Sequence, residues 1–250
     1  MERCEEPDHL CFTCSPSCAG KLAYSRKEAN LLRKQFNNKT KNDIRSYLIK
    51  HYIEPSPKCV KPTPLCFRIL DFWGGGLFVD AVIDQEGGVN NHKSAELTTI
   101  DNNKSLYPAL RAYAIKKNQQ GTVKNQSVCV IPFCGSLAEY VHYQKVKNQR
   151  FFDFIWLDYC GSVTGIDSDI ELLGKIANEK TTIVITVFRG RDSAINEKGR
   201  NLILDTYINQ SFPLHKRVKD LIYKTDSGNM GTYIYKVPGS IFKKLSYLPK

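Results

Sequence analysis

Carboxylates, glycines and small polar residues recur in this chain at the ends of short apolar runs. "CFRILDF" (66–72) carries Asp71 near its end and runs into "WGGG", which holds Gly74, Gly75 and Gly76. "ELTTID" (96–101) closes on Asp101, followed by Asn102. "SVCVIPF" (127–133) leads to Cys134, Gly135 and Ser136. "FFDFIWLD" (151–158) has six apolar residues among its first seven and stops at Asp158, ahead of Tyr159 and Cys160. "TTIVITVF" (181–188) precedes Arg189. Carboxylates accept hydrogen bonds from hydroxyls or pair with cations, glycines let a backbone approach a ligand closely, and a deprotonated thiol is a nucleophile. A separate grouping lies at the start, where Cys4, Cys11, Cys14 and Cys18 are spaced C-x6-C-x2-C-x3-C, with His9 as a spare candidate. Four thiolates this close suit one tetrahedral zinc ion; disulfides or a cysteine-rich tail are the other readings.

The apolar runs read as strands, and helical stretches lie between them at about 77–85, 105–118, 136–147 and 169–179. Strand–helix alternation of this kind builds a mostly parallel sheet with helices on both faces, and ligands of such sheets bind outside the carboxyl ends of the strands. Every polar residue named above, apart from His9 and the four cysteines at the start, falls at such an end. The pattern changes at "DLIYKTDSGNMGTYIYKV" (220–237), where Tyr233 and Tyr235 alternate with Ile234 and Lys236. That reads as an antiparallel hairpin closing one edge of the sheet. Ahead of the sheet, Ser25 with Glu28 fits a capping box and Thr40 with Asp43 a weaker one, which predicts helices over 25–37 and 41–53. Pro55, Pro57, Pro62 and Pro64 then make a linker. The expected organisation is a cysteine-rich segment (1–20), a basic helical extension and linker (21–65), and an α/β domain (66–250).

A chain of 250 residues, 42% hydrophobic and 24% charged, can bury one large core. No apolar run approaches the roughly 20 residues that span a bilayer, and the first residues have no signal-peptide core, so an intracellular protein, cytoplasmic or nuclear, is expected. Nine cysteines cannot all pair within one chain, and reduced thiols are the default in that compartment. The net charge of +11 favours a polyanionic partner, nucleic acid above all, against the plainer reading of solubility.

The series of strand ends resembles the class I (Rossmann-like) S-adenosylmethionine-dependent methyltransferases. "ILDFWGGGLFVDAV" is similar to the family's first motif, an apolar strand, an acid and a glycine-rich turn into a helix. "LTTIDNN" is similar to its second strand, "VIPFCGSLAEY" to the segment beside the adenine, and "FDFIWLDYCG" to the fourth motif at the methyl-transfer site. The resemblance covers about residues 66–238. It implies S-adenosylmethionine as cofactor, held by Asp71, Gly74, Gly75, Gly76, Asp101, Asn102 and Ser136, with Asp101 accepting from the ribose hydroxyls. It places Asp158, Tyr159 and Cys160 at the acceptor, with Cys160 read as a packed or gating thiol ahead of a nucleophile.

The sequence departs from the family at three places. Trp-Gly-Gly-Gly stands where the glycines usually alternate. Asp71 and Asp101 are 30 residues apart, against the usual unit of about 20. The prolines that follow the fourth-motif acid in amino-directed enzymes, and precede the cysteine of cytosine-C5 enzymes, are missing. An NAD-binding protein would want a clearer G-x-G-x-x-G, and polar strand ends or an ordinary flexible turn would also leave this pattern. With the charge, the reading is a methyltransferase acting on nucleic acid, RNA ahead of DNA. The alternatives are a non-catalytic module that kept the fold, or an enzyme acting on protein or a small molecule.

Overall fold

The structure, a computed structural model, describes residues 16–53, 66–84, 94–123, 127–146, 151–159, 161–189, 195–225 and 228–238. Five strands form the parallel part of the sheet: β1 (Phe67–Phe72), β2 (Ser94–Asp101), β3 (Ser127–Cys134), β4 (Phe154–Asp158) and β5 (Thr182–Phe188). A hairpin of β6 (Lys216–Thr225) and β7 (Gly228–Lys236) completes it in the order β3-β2-β1-β4-β5-β7-β6. β7 runs antiparallel to β5. The α/β class, the mostly parallel sheet and the closing hairpin are as the strand pattern anticipates.

Seven helices accompany the sheet among the described residues: α1 (Pro16–Phe36), α2 (Lys39–Leu48), α3 (Leu77–Asp84), α4 (Tyr107–Val123), α5 (Leu137–Val146), α6 (Asp167–Leu173) and α7 (Glu197–Ser211). α2 continues into a π-helical turn, Ile49–Ile53. Strand alternation divides the core in two. Ile155 and Leu157 of β4 turn to the face packed by α5, α6 and α7. Phe154 and Trp156 turn to the opposite face, where Ile44, Leu48, Ile49 and Ile53 meet Phe78, Val79 and Val82 of α3. Leu48 and Ile49 are completely buried there, and burial of each such side chain contributes about 1.5–3 kcal/mol. The basic segment before the sheet therefore supplies part of the sheet's own core.

Helix starts differ from the sequence reading. α1 begins at Pro16, well before Ser25, and Glu28 accepts from the Ser105 hydroxyl at 2.8 Å instead of capping its own helix. α2 is capped by Asn38, whose side chain accepts from the Lys41 N–H, ahead of Thr40. Helix α7 has no counterpart in the sequence reading. No helix among the described residues is long and apolar enough to cross a membrane.

Candidate active site

A cavity of about 550 Å³ opens at the carboxyl ends of β1 to β4. Its wall takes Phe72 from the end of β1 and Trp73 and Gly74 from the turn that follows, Asp101 from the end of β2 and Asn102, Asn103 and Leu106 from the loop that follows, and Gly135, Ser136 and Leu137 after β3. Asp158 and Tyr159 close it after β4, Asp169 of α6 joins them, and Leu32 and Phe36 of α1 complete it. Of the residues expected at the cofactor, Gly74, Asp101, Asn102 and Ser136 meet on this wall; Asp71, Gly75 and Gly76 lie off it.

Strand parity explains Asp71. It points with Ile69 to the face covered by α2, is only 2% exposed, and sits beside Thr99 of β2 and Trp156 of β4. Burial pushes its carboxyl up to about 8, the Asp158 charge adds to the rise and Arg45 opposes it. Because the folded pKa lies above the ordinary 3.8, this group's stabilising contribution is complete below that value and is lost as pH rises through about 8. Asp71→Asn is expected to flatten the pH dependence of unfolding, gaining stability at pH 9 relative to pH 5. Urea unfolding at the two pH values checks this, and an unchanged slope would count against it.

The two glycines off the wall serve close packing. Gly75 and Gly76 have φ of +74° and +78°, which a side chain rarely adopts. A Cβ on Gly76 would come within 2.7 Å of the Tyr113 ring. The Tyr113 hydroxyl lies 2.7 Å from Asp80 Oδ1 and 3.0 Å from the Gly76 carbonyl, and its single proton serves one at a time.

Asp101 is half-buried at the end of β2. Its Oδ1 accepts from the Asn103 N–H at 2.8 Å, which fixes the loop, and its carbonyl accepts from Gly135 N–H at 3.0 Å. Burial pushes the carboxyl up to about 6, and the Asn103 hydrogen bond works against that rise. Ser136 forms a reciprocal capping box at the start of α5: Glu139 accepts from the Ser136 N–H at 2.6 Å, and the Ser136 hydroxyl accepts from Glu139 N–H at 3.2 Å. The Ser136 N–H and, alongside its capping role, the Ser136 hydroxyl donate to the Glu139 carboxylate and hold it below its ordinary range.

At β4, Asp158 Oδ2 accepts from Lys41 Nζ at 3.1 Å, with both side chains largely buried. Lys41 also lies 4.4 Å from the centre of the Phe36 ring. Asp158 Oδ1 is buried with no hydrogen-bond partner. Arg45, one turn after Lys41, is 4% exposed; burial lowers its pKa and Asp158 is the chief influence opposing that. The Tyr159 hydroxyl donates to Asp169 at 2.7 Å, its ring standing edge-on to Phe72 at 5.3 Å. Burial, then the Asp169 charge, push that hydroxyl's pKa up. The Tyr159 ring is thereby held in place on the cavity wall.

Leu32, Phe36, Lys41, Arg45 and Asp169 were not legible as site residues. A signal existed for two of them: Lys41 and Arg45 fall on the same stripe as Ile44 and Leu48, and a cation on an apolar stripe must find a buried partner. Cys160, Cys4, Cys11 and Cys14 lie outside the described residues, as does the Cys18 side chain. Among the described residues no group of three or more His, Cys, Asp or Glu could hold a metal ion, and Cys66 and Cys129 are free thiols.

No protein-family model matches the chain, and no curated protein matches it in sequence. Solved structures match its fold. A Streptococcus mutans protein assigned as an S-adenosylmethionine-dependent methyltransferase aligns at a TM-score of 0.54 and 11% identity, over 78% of this chain and 48% of that one. The O-methyltransferase from Bacillus cereus, solved with S-adenosylhomocysteine, aligns at 0.52 and 13%, over 87% and 90%. The O-methyltransferase TomG from Streptomyces achromogenes, solved with S-adenosylmethionine, aligns at 0.51 and 11%, over 90% and 91%. The chain spans about half the length of the first of these and nearly all of the other two. Its fold is that of the class I S-adenosylmethionine-dependent methyltransferases.

Proposed function

We propose that this chain is an S-adenosylmethionine-dependent methyltransferase acting on nucleic acid, RNA ahead of DNA. The observation that carries the cofactor reading is the cavity wall: Asp101, Asp158 and Asp169 contribute three carboxylates, and among the described residues no lysine or arginine lines it. Such a wall suits a ligand bearing an ammonium and a sulfonium, and it repels the pyrophosphate of a dinucleotide. A volume of about 550 Å³ falls within the usual range for a small-molecule site. The acceptor class rests on the net charge of +11 and on exposed Arg26, Lys27, Lys34, Lys39 and Lys50 along α1, α2 and the turn that follows.

In this reading residues 66–250 form the catalytic domain, and α1 and α2 of the basic extension supply one wall of it. Asp101 accepts from the ribose hydroxyls, the Gly74 backbone borders the amino-acid portion, and Ser136 borders the base. The bound cofactor supplies a methyl group already activated on sulfur, so positioning and exclusion of water are what the chain must add. Phe36, Phe72 and Tyr159 exclude water. Asp158, paired with Lys41, accepts a hydrogen bond from the acceptor and orients its attacking atom. Cys160 follows Tyr159 in sequence, and its reading as a packed or gating thiol rests on that place alone. The zinc reading of Cys4, Cys11, Cys14 and Cys18 rests on their spacing, and metal analysis of the purified chain decides it.

Calorimetry with S-adenosylmethionine and S-adenosylhomocysteine is the first test; absence of binding at millimolar ligand would overturn the reading. Radiolabelled methyl transfer to total RNA, DNA and protein then separates the acceptor classes. Binding without transfer to any of them favours a module that kept the fold and lost turnover, the alternative suggested by a glycine turn pressed against its own N-terminal helix.

A further inference from the structure

Helix α1 meets the glycine turn backbone to backbone. A Cβ on Gly75 would lie 3.0 Å from Arg33 Cα, and the positive φ at Gly75 excludes a side chain independently. From this contact the Arg33 guanidinium reaches across the turn. Its Nη1 donates to the Gly75 carbonyl at 3.0 Å, and its Nη2 pairs with Asp80 in the first turn of α3. Asp80 is fixed in turn by Lys117 Nζ at 2.7 Å and by Tyr113, so the far end of the fork is anchored. On the near side, Leu32 and Phe36 flank Arg33 in sequence and line the cavity. One helical turn therefore both forms the cavity wall and holds the loop opposite.

The turn needs such a brace. Trp73 stands where the family's first glycine would be, and its ring packs with Leu106, Leu110 and Leu32. The Trp73 backbone N–H donates to the Ile100 carbonyl and that of Gly74 to the Phe72 carbonyl. A turn with a bulky residue at that place and two left-handed glycines after it has several backbone courses open to it. We propose that Arg33 is a positioning residue for the cofactor: by bridging the Gly75 carbonyl and Asp80 it selects the one course that presents Trp73 and Gly74 to the cavity. This rests on the methyltransferase reading and adds to it a residue outside the resembling segment. The Arg33 side chain is 39% exposed, so its ion pair contributes little to global stability. A structural and a positioning role are therefore separable by measurement.

The test is calorimetric titration of S-adenosylhomocysteine into the wild-type chain, Arg33→Ala and Arg33→Lys, with urea unfolding of each. Arg33→Ala is expected to bind about tenfold to a hundredfold more weakly, the scale on which misplacement of a binding loop acts, with its unfolding midpoint little changed. Arg33→Lys is expected to be intermediate, because an ammonium cannot bond both partners in the geometry of the planar fork. With a methyl acceptor in hand, KM for S-adenosylmethionine rises while kcat at saturation holds. Equal affinity in the wild type and Arg33→Ala, or affinity lost only in step with stability, overturns the proposal. Should Arg33→Ala fail to fold, undiminished affinity in Arg33→Lys overturns it equally. Failure of the wild type to bind overturns the methyltransferase reading itself, which is a different result.

Discussion

Replacement of Asp101 by alanine is expected to weaken cofactor binding by a hundredfold or more. A carboxylate accepting from two neighbouring hydroxyls makes charge-assisted bonds of about 1.5–3 kcal/mol each, and their loss at a half-buried strand end leaves the hydroxyls without a partner of equal strength. Asp101→Asn should fall between the two, because its amide oxygen can still accept from the Asn103 N–H and keep the loop. The pH dependence tests the same assignment. The carboxyl is pushed up to about 6, and only its ionised form accepts from both hydroxyls. Affinity is therefore expected to be level above about pH 7 and to fall about tenfold per unit below about 6. Asp101→Asn should remove that fall. Calorimetry from pH 5 to 8 reads both effects, and an Asp101→Ala variant that binds normally would show that β2 has been matched to the wrong family motif.

The second large effect concerns stability. Lys41 and Asp158 form an ion pair at 3.1 Å, with side chains 6% and 16% exposed. Lys41→Met leaves a buried carboxylate whose other oxygen already has no hydrogen-bond partner. Breaking a buried pair from one side costs about 3–5 kcal/mol. Adding Asp158→Asn should recover most of it by removing the stranded charge. Urea unfolding of the two single variants and the double variant gives the coupling directly. On the proposed role of Asp158, the double variant should nonetheless be slower in methyl transfer, since a neutral amide oxygen accepts a hydrogen bond more weakly than a carboxylate. Equal stability of Lys41→Met and wild type would mean that the pair is not formed.

Helix α7 shows why one element escaped the sequence reading. Of its fifteen residues only Arg200, Leu204 and Ile208 are fully buried, with Ile203 and Tyr207 partly buried beside them; the stripe thus starts on an arginine, and Leu202 beside it is exposed. Asn201, Asn209 and Gly199 further dilute the periodicity. Its cap, Asn196 accepting from the Gly199 N–H, lies in a run of polar residues that reads equally well as loop. The first residues of β6 were missed for a related reason: the strand is mostly exposed, and a register shift between Arg217 and Lys219 breaks its alternation. The parallel strands were legible because strands buried on both faces read as continuous apolar runs, each with a boundary marked by an acid or glycine. That was enough to place Asp101, Asp158, Gly74 and Ser136 at one edge of one sheet.

Sequence alone therefore determined the α/β class, the strands, and the acids and glycines at their ends, because buried strands and sharp turns restrict residue type locally. The tertiary structure decided which of those groups face the cavity. It turned Asp71 under α2 and Gly75 against Arg33, and it brought Lys41 to a carboxylate 117 residues away. Those outcomes depend on strand parity and on helices arriving from a distant part of the chain. Contacts at that separation are fixed by packing of the whole core, and the spacing of neighbouring residues does not encode them.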